Sequence, residues 1–397
     1  MKMFLSLATA ASLTLSGVSI AYAQHYMQVN LVANTSGLAP VTDPNLVNPW
    51  GVSRTSSSPW WISDNGTGLS TLYNGAGAIN PLVVTIPKAD PTSKTFPTGT
   101  PTGTIANGSP TDFLLAAGAP AAFLFSTIDG TISGWNPAVG VANGAKPPST
   151  NAVVEVKTTD GSSYTGLTSA TINGKRYLYA ANFNKGTVDV YDNAFHKVTL
   201  GANPDGDRDN DTDKPFTDEH LPRDFVPFNV QTIGNDVVVT FALHQEGNPL
   251  ETDGPGLGYV DIFSSDGQLL RRLDHGDWLN APWGVALGPL DFGTFSHALL
   301  IGQWAGGGTS EGSGTIAAYD FATGKFIGLV QDSTGKPLSI NGLWALSPGN
   351  SAAAGSYDPA GSPAAELYFT AGPNRGTAGL FGYLKPVSTE LTVGNDQ

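Results

Sequence analysis

"VNPWGVSRTSS" (residues 47–57) and "NAPWGVALGPL" (residues 280–290) share Pro-Trp-Gly-Val in a chain of 397 residues that contains only eight Trp. A repeated tetrapeptide built on so rare a residue marks two copies of one structural unit, and the rest of the chain supplies more. The order of events is an apolar strand, a gap, a second apolar strand, a glycine turn, and a third strand ending in an aromatic. It recurs in NPWGVS with PWWISDNGTGLSTLYN, and in APAAFLFSTIDGTISGWNP from Ala119. It recurs again in YTGLTSATINGKRYLYAANFNKGTVDVYD from Tyr164, and in VPFNVQTIGNDVVVTFALH with GLGYVDIFSSDG. The last two copies are APWGVALGPL with HALLIGQW and GTIAAYDFATG, and INGLWALSPG with AELYFTAGPNRGTAGLFGYL.

Six antiparallel units at a spacing of about 45 to 70 residues indicate an all-β, single-domain, six-bladed β-propeller. The sixth copy stops at its third strand, near Leu384. The missing outer strand is available at the other end, where Met27 to Val32 alternates apolar and polar residues, so the ring is expected to close through an N-terminal strand that removes two sheet edges. Pro-Trp-Gly-Val is then the innermost strand of blades one and five.

Composition agrees. Gly (49) and Pro (28) punctuate short apolar runs, as expected of many strands joined by turns. The first residues, MKMFLSLATAASLTLSGVSIAYAQ, combine a basic start, a short apolar run and Ala21-Tyr22-Ala23, which reads as a secretory signal peptide (1–23) cut after Ala23. The expected organisation is therefore a signal, a propeller over 24–386 and a flexible tail over 387–397, in a secreted or periplasmic monomer. Cysteine is absent, which excludes thiolate and disulfide chemistry. A net charge of −14 argues against nucleic acid and anionic membrane surfaces as partners, because both require basic patches.

The segments NPWGVS, WWISDNGTG, ANFNKGTVDVYD, PFNVQTIG, GPGLGYVDIF, LNAPWGVA, INGLWAL and LYFTAGP together resemble a family of secreted bacterial six-bladed propellers, NHL-like in repeat style and without a settled biochemical role. The resemblance implies fold and export. It departs at AGGGTSEGSG (305–314), which lengthens a turn, and it assigns no activity.

Candidate functional residues come from the loops that emerge on one face of the ring. Loops between blades carry Asn48, Trp50, Tyr164, Phe228, Asn229, Asn280, Trp283, Asn341 and Trp344. Loops between second and third strands carry Asp64, Asn65, Asn182, His244, Gln245, Glu246, Gln303, Trp304 and Arg375. Trp50, Asp64, Asn65, Tyr164, Asn182, Phe228, Gln245, Trp283, Gln303, Trp304, Trp344 and Arg375 are the expected lining of an aromatic and carboxamide funnel for a small polar or saccharide-like ligand. Asn48, Asn229, Asn280 and Asn341 could converge on the axis and offer oxygens to Ca²⁺ or another divalent metal; the competing reading is that each caps a tight turn. His244, ending a strand with Glu246 nearby, is the candidate for acid/base work. In NPDGDRDNDTDKPFTDEH (203–220), Asp207, Asp209, Asp211, Asp213 and Asp218 have the spacing of a Ca²⁺ loop, although Thr212 stands where the turn glycine belongs. Three functions follow as alternatives: a binding protein, a metal-dependent hydrolase of lactonase or esterase type, or a scaffold for another secreted protein.

Overall fold

The computed structural model describes residues 24–390 apart from 96–97, 202–213, 246, 249, 305–313 and 351–361. Six sheets, antiparallel apart from two short parallel pairings at the edge of the sixth, each form one blade of a propeller. Their inner strands are Pro49–Ser53, Pro101–Ala106, Tyr164–Ile172, Phe225–Ile233, Pro282–Leu287 and Leu343–Asn350, and each contacts the next around the ring. The two Pro-Trp-Gly-Val stretches are the inner strands of blades one and five, as expected. The sixth blade is completed by His25–Ala33, antiparallel to Leu380–Pro386 from Tyr26 opposite Pro386 to Ala33 opposite Leu380. The ring thus closes through the N-terminal strand. The turn Ser388–Glu390 continues that seam, with Glu390 Oε1 3.0 Å from His25 Nδ1.

Packing follows from strand alternation. Six apolar clusters fill the six interfaces between neighbouring blades; Trp61, Leu72, Phe123, Phe125 and Trp135, for example, lock blade one to blade two. A seventh lies on the axis and joins Trp50, Phe183, Phe228, Trp283 and Trp344 from five blades.

The axial cluster has a local cause. In every inner strand the ladder register breaks near its start: after Pro49, Pro101, Tyr164, Pro227, Pro282 and Leu343. A bulge leaves one residue unpaired and re-aims its side chain. The residues following those positions are Trp50, Thr102, Thr165, Phe228, Trp283 and Trp344, one per blade. The next position is Gly51, Gly103, Gly166, Asn229, Gly284 and Ala345. Five of the six are glycine or alanine, because inner strands approach closely there. A Cβ on Gly51 would stand 2.5 Å from the Thr102 carbonyl oxygen, and one on Gly284 2.6 Å from that of Trp344. Pro-Trp-Gly is therefore a bulge, an axial side chain and a close strand approach, in that order.

Candidate functional site

The four bulged aromatics close the axis. Trp50 and Trp344 stack at 3.6 Å between ring centroids, and Trp283 meets both edge-on at 6.0 and 5.8 Å. Phe228 lies 6.1 Å from Trp344 and 5.5 Å from Phe183. Trp50, Trp283, Trp344 and Phe228 are 4%, 4%, 1% and 1% exposed, so they are a plug rather than a floor open to ligand. Hydrogen bonds fix it across blades: Trp283 Nε1 donates to the Thr165 carbonyl at 2.9 Å, and Trp344 Nε1 to Asn48 Oδ1 at 3.0 Å. Beyond the plug, Gly51, Gly103, Asn229, Gln231 and Val285 line an axial cavity of about 20 Å³. That volume is on the scale of a single water.

The carboxamides are distributed around the ring, each with a local partner. Asn48 sits at φ 47°, the left-handed geometry that asparagine tolerates; its Nδ2 donates to Asn65 Oδ1 at 3.3 Å, and Asn65 Nδ2 donates to the Pro101 carbonyl at 3.2 Å. Asn229 Nδ2 donates to the Trp283 carbonyl at 2.7 Å. Asn280 Oδ1 accepts from the Gly254 amide at 2.7 Å, and Asn341 Oδ1 from the Asn374 amide at 3.2 Å. These bonds are turn and inter-blade fastenings. Among the described residues, no group of three or more His, Asp or Glu is placed to hold a metal ion. Asp207, Asp209, Asp211 and Asp213 lie outside the described residues. Asp218 is bound by Arg272, whose Nη2 is 2.6 Å from Oδ1.

Several residues expected at the funnel lie inside the blades. Tyr164 occupies the position before the bulge, not the bulge itself; its hydroxyl donates to Asp189 Oδ2 at 2.9 Å within the interface of blades two and three. Thr165 is the axial residue of that blade. Asn182 is fully buried, accepting from the Ser163 amide and donating to Ser162 Oγ and Asp189 Oδ2. Gln303 is fully buried between the Asn280 amide and the Ile301 carbonyl. Asp64 is fully buried, and burial holds its carboxyl well above the usual carboxylate range although Thr71 bonding opposes this. Gln245 and Arg375 are exposed, the latter at φ 57°, and Glu246 lies outside the described residues.

What remains at the axial mouth is compact. Trp304 stacks on Trp344 at 4.0 Å and, unlike the plug beneath it, is only partly buried. His244 ends the strand Asp236–His244 and packs 4.7 Å from the Phe183 ring, with Nε2 3.1 Å from the Asn248 carbonyl oxygen. Directly opposite His244 in register is Glu251, in the two-residue strand Glu251–Thr252. Register partners on adjacent strands project to one side with Cβ atoms about 5 Å apart. Burial pushes the Glu251 carboxyl up to about 7 and Asp253 adds to the rise, while a backbone hydrogen bond and the Trp304 indole oppose it. Glu251 thus ties His244 to Trp304, and the circuit closes through Trp344, Phe228 and Phe183. Sequence reasoning missed it, because Glu251 belongs to an insertion between the second and third strands of blade four; the only signal was an acid in the same loop as His244.

Fold and site define a six-bladed β-propeller whose axis is shut by aromatic side chains and whose mouth carries an indole, an imidazole and a carboxyl. No family model matches the chain. It is similar to uncharacterised protein R648 of Acanthamoeba polyphaga mimivirus, at 28% identity over 320 residues, 80% of this chain and 72% of that protein. Uncharacterised protein L690 of the same virus matches at 28% over 360 residues, 89% of this chain and 84% of its own length. A solved structure of a Bacteroides thetaiotaomicron protein of unknown function aligns with a TM-score of 0.49 at 10% identity, covering 91% of this chain and 76% of that one.

Proposed function

We propose that the protein is an exported binding protein that holds a small polar or saccharide-like ligand at the axial mouth, against Trp304, His244 and Glu251. The observation that carries this reading is the contrast in burial along the axis. Trp50, Trp283 and Trp344 are spent on the plug, while Trp304, stacked on Trp344, keeps solvent-accessible surface beside a carboxyl and an imidazole. Sugars and other polar ring compounds are held by a stacked aromatic face together with a few placed hydrogen-bonding groups.

The test is a ligand screen followed by intrinsic Trp fluorescence and calorimetry. Trp304→Ala should abolish the ligand-induced change while lowering the melting temperature only slightly, because Trp304 caps the plug rather than filling it. If ligand binds Trp304→Ala as it binds the parent, the site lies elsewhere.

Export is the second part of the proposal, and it accords with the resemblance to secreted bacterial propellers. Cleavage after Ala23 would leave Gln24 first, and Gln24 is already held in the closing seam: its Nε2 donates to the Val387 carbonyl at 3.3 Å, and it is 6% exposed. Mass spectrometry of protein expressed with its leader should return a chain lacking residues 1–23. A retained leader in an exporting host would refute this.

A further inference from the structure

We propose that the ligand of the axial mouth is an organic cation of the quaternary ammonium class, seated on Trp304 with Glu251 as its counter-charge. This rests on the binding reading above and names the ligand chemistry of the same site.

Glu251 is a part-buried acid that, among the described residues, has no ion-pair partner, and the group next to it is an indole rather than a base. A carboxyl withdrawn from water is costly to ionise unless a positive charge arrives with it. An aromatic face attracts cations through its quadrupole, most strongly for Trp and most of all for weakly hydrated cations such as quaternary ammoniums. Trp304 and Glu251 touch, so one bound cation satisfies both. A neutral sugar would leave the carboxyl uncompensated, and an anion would be repelled by it. The titratable groups that face this carboxyl are Asp253 on its own loop and His244 across the ladder. The overall charge of −14 also draws cations toward the protein.

Binding carries a proton balance. Below about pH 7 the Glu251 carboxyl is largely protonated. An arriving cation stabilises the carboxylate, and the O–H proton passes to buffer. Binding should therefore release close to one proton per ligand at pH 6 and almost none at pH 9.

The experiment is calorimetric titration of the mature chain with choline, with tetramethylammonium, and with 3,3-dimethyl-1-butanol, which has the shape of choline without the charge. Choline is expected to bind at least tenfold tighter than the alcohol. Its heat at pH 6 should differ between buffers of different ionisation enthalpy, and that difference should vanish at pH 9. Glu251→Gln should remove both the preference and the proton release. Equal binding of choline and the alcohol, or no binding of either cation, would overturn the proposal. Neutral saccharides that quench Trp304 while both cations fail would sink this inference alone and leave the binding reading standing.

Discussion

Trp283→Ala is expected to destabilise the protein by about 3 to 5 kcal/mol, the usual range for deleting a buried aromatic. The upper part of that range is favoured by what the side chain touches. It is 4% exposed, meets Trp50 and Trp344 edge-on, and donates its indole hydrogen to the Thr165 carbonyl at 2.9 Å. Removing it opens a cavity against two rings held by backbone from other blades, and rigid inner strands cannot collapse into the gap. It also leaves the Thr165 carbonyl without its indole donor. Trp283→Phe, which keeps most of the ring and loses the donor, should cost roughly half as much. Chemical denaturation of both variants checks the ordering. A Trp283→Ala protein within 1 kcal/mol of the parent would mean that the axial aromatics are not a plug.

The same residues explain how much could be read from sequence. Pro-Trp-Gly was visible because three of the six bulged positions carry Trp, and a fourth Phe. Blade two was only half legible. Its inner strand Pro101–Ala106 has Thr102 at the bulge, and without an aromatic the repeat was found only from Ala119 onward, at the second strand. Blade three was misread by one residue. Tyr164 drew attention as the aromatic, whereas the axial position is Thr165, and a shift of one in a strand sends a side chain to the other face. Thr102 and Thr165 fit because four large rings already fill the axis. The chemistry was less legible than the fold. Asn182, Gln303 and Asp64 have the right residue types in the right loops, but all three are sealed inside the blades, and the polar groups of Asn182 and Gln303 are consumed by neighbouring backbone and side chains, which loop position alone does not reveal. Glu251 was hidden because its relation to His244 depends on a two-residue strand inside an insertion.

Deleting residues 24–34 should have the largest effect of all. His25–Ala33 is the outer strand of the sixth blade, and it comes from the other end of the chain. Tyr26 packs at 1% exposure against Phe292 and Phe295 of blade five, and its hydroxyl donates to the Phe292 carbonyl at 2.7 Å. Val32 and Ala33 are fully buried, and Val32 joins Trp60 and Tyr73 in the cluster between blades six and one. The strand therefore does three things at once: it completes a ladder, fills parts of two blade interfaces, and ties the ends of the chain together. Without it, Leu380–Pro386 becomes an unpaired edge, the kind of exposed row of N–H and C=O groups that recruits other chains. The short strands Val41–Thr42 and Gln331–Asp332, which pair in parallel with His25–Ala33, lose that partner too. The expected result is aggregation on expression, or a soluble fraction without a single cooperative melt. The narrower variant Tyr26→Ala keeps the ladder and removes only the contact with blade five, so it should stay soluble and lose about 3 kcal/mol or more. The pair separates closure from packing. If the truncated chain melts like the parent, the N-terminal strand is an accessory and the ring holds itself together without it.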